Sequence, residues 1–269
     1  MRSKDGRTTK DGIRIYQDAD FAGMHVAGKL AAQILDDIAQ HVFPGQTTGE
    51  IDRIITNMVD EAGAKSATIG YKGYQHASCI SVNHVVCHGI PSDKKLKDGD
   101  ILNIDVTVIV DGWFGDTSRM FVAGKLSRKS ERLIQVTHDS LMKGIEAVKP
   151  GNTFGDIGHA IQSYAESQRM SVVRDFCGHG LGLVFHAPPN VLHYGRPGTG
   201  PKLEEGMFFT IEPMINLGRP ETKILADEWT AVTRDKSLSA QFEHSIGVTA
   251  DGFDIFTLSP AGTFHPTYG

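Results

Sequence analysis

Apolar positions recur at helical spacing in the first fifth of the chain. Phe21, Met24, Leu30, Ile34, Leu35 and Ile38 fall on one stripe of a helix that Asp18 or Asp20 can cap and that runs to about His41. "FPGQ" stops it. Thr47 followed by Glu50 makes a capping box, and Ile51, Ile54, Ile55, Met58 and Val59 follow at helical spacing until Gly63 closes a second helix. Residues 77–90 are β-rich, and residues 100–122 read as a hairpin turning at Asp111-Gly112. Helical spacing then returns over about 128–148.

This order repeats. "VFPGQTTGEI" (42–51) matches "VKPGNTFGDI" (148–157) at an offset of 106 residues. "LKDGDILNID" (96–105) matches "LEEGMFFTIE" (203–212) at an offset of 107, which sets Asp105 on Glu212. Between them, "HGIP" (88–91) meets "HAPP" (186–189). Chance likeness of caps and turns would rarely keep one order, so the chain reads as two similar α/β halves, about 18–125 and 126–258, with a cleft where they meet. One domain is expected over 13–269, preceded by a flexible basic tail over 1–12.

The hairpin carries two acids in an otherwise apolar run. With Asp111-Gly112 as a two-residue turn, Asp105 pairs with Ser118 and Asp116 with Thr107. The acids then share a face as diagonal neighbours, with Cα atoms about 7–8 Å apart. They are either ordinary solvent-facing acids or a site for a cation, because two close unpaired carboxylates repel. Glu212 in "FFTIEPM" and Glu243 in "AQFEHSIGV" are further acids in probable strands, and His179 lies among glycines in "CGHGLG". Four carboxylates balance two divalent ions, and one imidazole completes the set. Carboxylates and water suit Mn and Mg, an imidazole also admits Fe, Co, Ni or Zn, and such a two-metal site suits activation of water against an amide or phosphate ester.

Composition narrows the alternatives. The chain has 269 residues, 40% of them hydrophobic, and a formal net charge of −5, enough to bury a large core and no signature of a nucleic-acid binder. No run approaches a membrane span, and the N-terminus has no apolar core of a secretory signal. Cys79, Cys87 and Cys177 show no CxxC spacing, so reduced thiols in the cytoplasm are expected and a thiolate zinc site is not. Arg2, Lys4, Arg7, Lys10 and Arg14 make the basic end a solvated tail or a weak, transient contact with the ribosome.

Taken together, "NIDVTVIVDGWFGDTSRMF", "GHGLG", "TIEPM" and "SAQFEHSI" resemble the metal-binding motifs of the methionine aminopeptidases, nearest the bacterial type I enzymes, over about residues 13–258. The resemblance implies the pita-bread fold, a pseudo-two-fold α/β (α+β) duplication with antiparallel sheet, outer helices and metals in the central cleft. It implies that Asp105 chelates one of two divalent ions, that Asp116 and Glu243 bridge both, and that His179 and Glu212 hold the other. A metal-bound hydroxide would attack the first peptide carbonyl, with Glu212 as proton shuttle. His88 and His186 match two non-ligand histidines that hydrogen-bond the scissile amide. Tyr71, Tyr74, Cys79, Phe185 and Trp229, beside His88 and His186, match the pocket for the methionine side chain. Main-chain oxygens near Asn83, Val85 and Ser239 match a monovalent-cation (Na or K) site.

The function so implied is removal of the initiator methionine from nascent polypeptides whose second residue is small, by a cytoplasmic monomer that forms no stable nucleic-acid complex. A proline-specific relative on the same fold, and a non-catalytic peptide-binding module, are the competing readings. Three positions depart from the bacterial pattern. Leu183 stands where a basic residue is usual, Ala187 where a charged one is, and Asp227-Glu228-Trp229 where Asp-Gly-Trp is. Leu183 and Ala187 are expected at the cleft rim.

Overall fold

The three stretches of helical spacing are helices in the computed structural model, which describes residues 7–263, and a fourth helix starts within "VKPGNTFGDI". They are α1 (Asp18–Ile38), α2 (Thr48–Glu61), α3 (Arg128–Glu146) and α4 (Phe154–Ser167). The start of α1 differs from the expectation. Its N-cap is Gln17, and Asp20, three residues on, accepts the Gln17 amide at 2.9 Å to complete the reciprocal bond of a capping box. The helix ends at Ile38, and a 3₁₀ turn, Ala39–His41, carries the chain towards "FPGQ". Gly63 follows α2 at φ 67°, as a closing glycine should.

Fifteen strands follow the helices or precede them among the described residues. In the first half they are β1 (Lys65–Ser66), β2 (Ser78–Val82), β3 (Val85–Cys87), β4 (Asp100–Val110) and β5 (Trp113–Ala123). The second half begins with β6 (Ser171–Val172), β7 (Gly178–Gly180), β8 (Ala187–Val191), β9 (Phe208–Ile211) and β10 (Met214–Asn216). It ends with β11 (Thr222–Ile224), β12 (Ala231–Thr233), β13 (Ser239–Gln241), β14 (His244–Val248) and β15 (Phe253–Ile255). All pairings are antiparallel. β4 pairs with β5 on one edge and with β1 and β2 on the other, while β15-β14-β9-β7-β8 form the second large sheet.

The hairpin has the predicted register. Asp105 faces Ser118 and Thr107 faces Asp116, because Asp111 and Gly112 both adopt the left-handed φ (50° and 85°) that a tight two-residue turn needs. The two halves also repeat in their hydrogen bonds. Thr47 with Glu50 and Thr153 with Asp156 form matching capping boxes. The Gly45 amide donates to the Leu96 carbonyl as Gly151 does to Leu203, and Leu96 donates back to Gln46 as Leu203 does to Asn152. This is the pita-bread fold.

Each half has its own apolar core. Ile34, Leu35, Ile38, Ile51 and Ile55 from α1 and α2 meet Ile104, Val106 and Val108 of β4. Ile134, Leu141, Ile145, Ile157 and Ile161 from α3 and α4 meet Phe209, Ile211 and Ile246. Burying these helix stripes at about 25 cal/mol per Å² holds helices to sheets and leaves the other sheet faces for the cleft. The two sheets are stitched where the Glu243 amide donates to the Ser118 carbonyl at 3.0 Å.

Of the expected flexible tail, residues 1–6 lie outside the described residues, as do 264–269 of the expected domain. Residues 7–12 turn back on themselves. Thr9 accepts the Ile13 amide, Thr8 bridges Arg14, and Arg7 pairs with Glu204. No helix of the described residues is long and apolar enough to cross a membrane.

Candidate metal centre

Strand alternation delivers the acids to one cavity. Asp105 on β4, Asp116 on β5, His179 on β7, Glu212 just past β9 and Glu243 just before β14 all line a cleft of about 780 Å³. Ligand-capable atoms of Asp116, His179 and Glu243 lie within 4.8 Å of one another. Glu212 borders this trio, its Oε1 3.7 Å from His179 Nε2, while Asp116 Oδ2 is 3.4 Å from the same nitrogen. Asp105 shares the cleft without joining the trio.

The carboxyls disturb one another. Burial and then the Asp116 and Glu212 charges push Asp105 well above the usual range. Burial followed by the charges of Asp116, Glu212 and Asp105 does the same to Glu243. Burial lifts Glu212 to about 7, against the opposing pull of His179 and of the Thr210 hydroxyl. Burial alone would lower His179, but its bond to Asp116 and the Glu212 and Asp116 charges outweigh it and raise the ring to about 9.

This donor set fits divalent cations. Crowded, buried carboxylates need positive charge, and oxygen ligands with one imidazole match divalent first-row metals. His179 is oriented for it: Nδ1 faces the Gly180 carbonyl oxygen at 3.1 Å, so Nδ1–H donates there, and Nε2 faces the acids.

Three side chains position the acids, and of these only Thr107 figures in the sequence reading, as the strand partner of Asp116. Thr107 donates to Asp116 Oδ1 at 2.7 Å, Thr210 donates to Glu212 Oε1 at 2.7 Å, and Gln241 Nε2 donates to Glu212 Oε2 at 3.3 Å. Each lies two residues from one of the acids (Thr107 from Asp105, Thr210 from Glu212, Gln241 from Glu243), on or next to a strand. The alternation that finds the acids could therefore have found their supports.

The remaining predicted residues meet at the same cleft. Tyr71, Tyr74, Cys79, His88, Phe185, His186 and Trp229 all line it. Tyr74 is buried, donates to the Ser78 carbonyl at 2.9 Å and packs edge-on to Trp229. Tyr71 stacks on His186, whose ring centroid is 4.1 Å from that of His179. Packing strips water from His186 and, with the His179 charge, lowers it to about 4. His88 is lowered by burial and sits edge-on to Phe176 and Trp229. Both histidines are therefore neutral at pH 7.

Elsewhere, Asn83 and Ser239 are neighbours, the Ser239 amide donating to the Asn83 carbonyl at 2.9 Å, while Val85 pairs with Val232. Ala187 lines the cleft as expected, but Leu183 does not. Its apolar side chain packs on the Tyr16, Met24 and Phe208 cluster, and its amide donates to the Tyr16 hydroxyl. Glu228 adopts a left-handed φ of 62°, the conformation for which the family's usual glycine is suited.

The sequence profile of metallopeptidase family M24 matches residues 22–250. A methionine aminopeptidase of Rickettsia prowazekii (strain Madrid E) is 59% identical over 257 residues, covering 95% of this chain and 99% of that one. The chain belongs to metallopeptidase family M24 and, within it, to the methionine aminopeptidases. A methionine aminopeptidase of Escherichia coli (strain K12) is 52% identical over 248 residues, 91% of this chain and 94% of the relative. The crystal structure of methionine aminopeptidase from Rickettsia prowazekii superimposes with a TM-score of 0.91 at 60% identity, covering 91% of this chain and all (100%) of that one. Membership of the family makes the acidic cluster a candidate for divalent metals.

Proposed function

We propose that this chain is a type I enzyme that removes the initiator methionine from nascent polypeptides whose second residue is small. The observation that carries the reading is the adjacency of two surfaces. The Asp116–His179–Glu243 trio shares one cleft with aromatic and thiol side chains suited to an unbranched thioether.

Asp105, Asp116, His179, Glu212 and Glu243 would hold two divalent ions. When bound, such ions polarise the first peptide carbonyl and lower the pKa of water. The protein's residues do the rest. Tyr71, Tyr74, Cys79, Phe185 and Trp229 enclose the methionine side chain and exclude water. His88 and His186, neutral at pH 7, donate hydrogen bonds to the scissile amide and steady the charge that develops on its oxygen. Glu212 takes up a proton from the attacking water and passes it to the leaving amine. Backbone oxygens near Asn83, Val85 and Ser239 form a monovalent-cation site in this reading. The enzyme acts as a cytoplasmic monomer, and any ribosome contact is transient.

The test is release of methionine from Met-Ala-Ser by protein stripped with a chelator and reloaded with Mn, Co, Fe, Ni or Zn. Metal-dependent release, with little from Met-Leu-Ser or from an X-Pro peptide, is the expected result. Cleavage of X-Pro but not Met-Ala peptides, or peptide binding without turnover in every metal, would refute it.

A further inference from the structure

We propose that His193 is a positioning residue for Glu212, anchoring the backbone of the carboxylate from outside the sheet that carries it; this rests on the reading of Glu212 as ligand and proton carrier. β9 is hydrogen-bonded to β14 over Phe208–Ile211 and touches β7 at Phe209, and the ladder ends at Ile211. Residue 213 is proline and has no amide hydrogen. The Glu212 N–H therefore has no strand to receive it. It donates to His193 Nε2 at 3.1 Å.

The imidazole gains nothing else from its place. His193 is fully buried, at 0% exposure, in the loop after β8. Because Nε2 accepts a hydrogen bond, the ring proton sits on Nδ1. Nδ1 has no hydrogen-bond partner among the described residues. A buried donor left unpaired destabilises the fold, and an apolar side chain of similar size would avoid that cost. Packing does not account for a histidine here, whereas the acceptor it offers Glu212 does.

The loop that carries the ring is also tightly packed. Gly158 of α4 lies so close beneath residues 192–194 that a Cβ there would fall 2.4 Å from the Tyr194 carbonyl oxygen and 2.7 Å from that of Leu192. The helix thus braces the loop, and the loop braces Glu212. With Thr210 on Oε1 and Gln241 on Oε2 and the carbonyl oxygen, Glu212 is fixed at both ends of its backbone and at both carboxylate oxygens. Loosening one such support shifts a reacting group by a fraction of an ångström, enough to slow a reaction that depends on alignment.

Two variants test this. His193→Leu removes the acceptor; His193→Gln places an oxygen at the reach of Nε2. Expected for His193→Leu is a kcat on Met-Ala-Ser and a calorimetric Mn affinity each lower by about 10- to 100-fold, as for other supports of metal ligands. KM should stay within roughly twofold. The metal-free melting temperature should change little, because the variant exchanges the unpaired Nδ1–H for an unpaired Glu212 N–H, and His193→Gln should recover most of both losses. Wild-type kcat and Mn affinity in His193→Leu would overturn the proposal. So would losses in both variants that simply track a falling melting temperature. If His193→Leu does not fold, His193→Gln decides alone, because a folded Gln variant without activity contradicts the assignment. Glu212→Gln separates the two layers. Full activity there sinks the reading of Glu212 itself; an inactive Glu212→Gln beside a wild-type-like His193→Leu sinks only the role of His193.

Discussion

Glu243 is 3% exposed and lies among three other carboxyls, so its charge is costly until a cation arrives. Glu243→Gln keeps the volume and removes that charge. The metal-free variant should melt above the wild type at pH 8 by roughly 2–4 °C, the equivalent of about 1 kcal/mol in a chain this size, while losing metal binding. A lower melting temperature would mean that the acid stabilises the empty site. His88→Ala should lower kcat by about 10²-fold, as loss of one donor to a developing oxyanion does. Its metal content, measured by elemental analysis, should be unchanged; loss of metal would contradict its non-ligand role. At this scale the sequence was readable wherever a side chain broke an apolar pattern, as Asp105, Asp116, Glu212 and Glu243 do. Thr107, Thr210 and Gln241 are ordinary strand residues; hairpin pairing set Thr107 opposite Asp116, but no break in an apolar pattern marked any of the three as a support until their hydroxyls and amide were seen on the acids.

The β4–β5 hairpin decides which residues reach the cleft. Strand side chains alternate, so a one-residue slip turns Asp105 or Asp116 towards the core. Inserting a single glycine between Asp111 and Gly112 should abolish Mn binding while circular dichroism still reports a folded protein; retained binding would show that the turn does not set the register. This element was legible because Asp-Gly fixes turn length and turn length fixes pairing. The start of α1 was misassigned for a local reason. Asp20 is better used three residues inside the helix than at its cap, and a glutamine cap gives no strong signal. Leu183 was misplaced because its partners, Tyr16 and Phe208, come from distant parts of the chain.

Across the whole molecule, the two halves converge their acids, and the empty site should leave a mark on stability. His179 is raised from 6.5 to about 9, so its contribution to the metal-free fold is complete below about pH 6.5 and is lost as pH rises through 9. Glu212 is raised from 4.5 to about 7, and because the fold favours its protonated form, stability also falls as pH rises from 4.5 through 7. The signs agree: the metal-free protein should lose melting temperature steadily from pH 5 to pH 9. Metal binding needs the same groups deprotonated, so the stabilisation by Mn should grow over that range. A metal-free melting curve that is flat or rising with pH would contradict the assigned environments. The duplication was visible in sequence through the match of "VFPGQTTGEI" with "VKPGNTFGDI", which fold into the paired capping boxes at Thr47 and Thr153, whereas the sheet contact between Glu243 and Ser118, 125 residues apart in the chain, joins segments with no shared pattern.

The central claim is that Asp105, Asp116, His179, Glu212 and Glu243 form one divalent-metal site. Calorimetric titration of the metal-free protein with Mn at pH 7.5, in two buffers of different ionisation enthalpy, tests it most directly. Saturable binding with release of protons, abolished in Asp116→Ala, is the predicted result. Absence of binding in the wild type, or unchanged binding in Asp116→Ala, would contradict the claim.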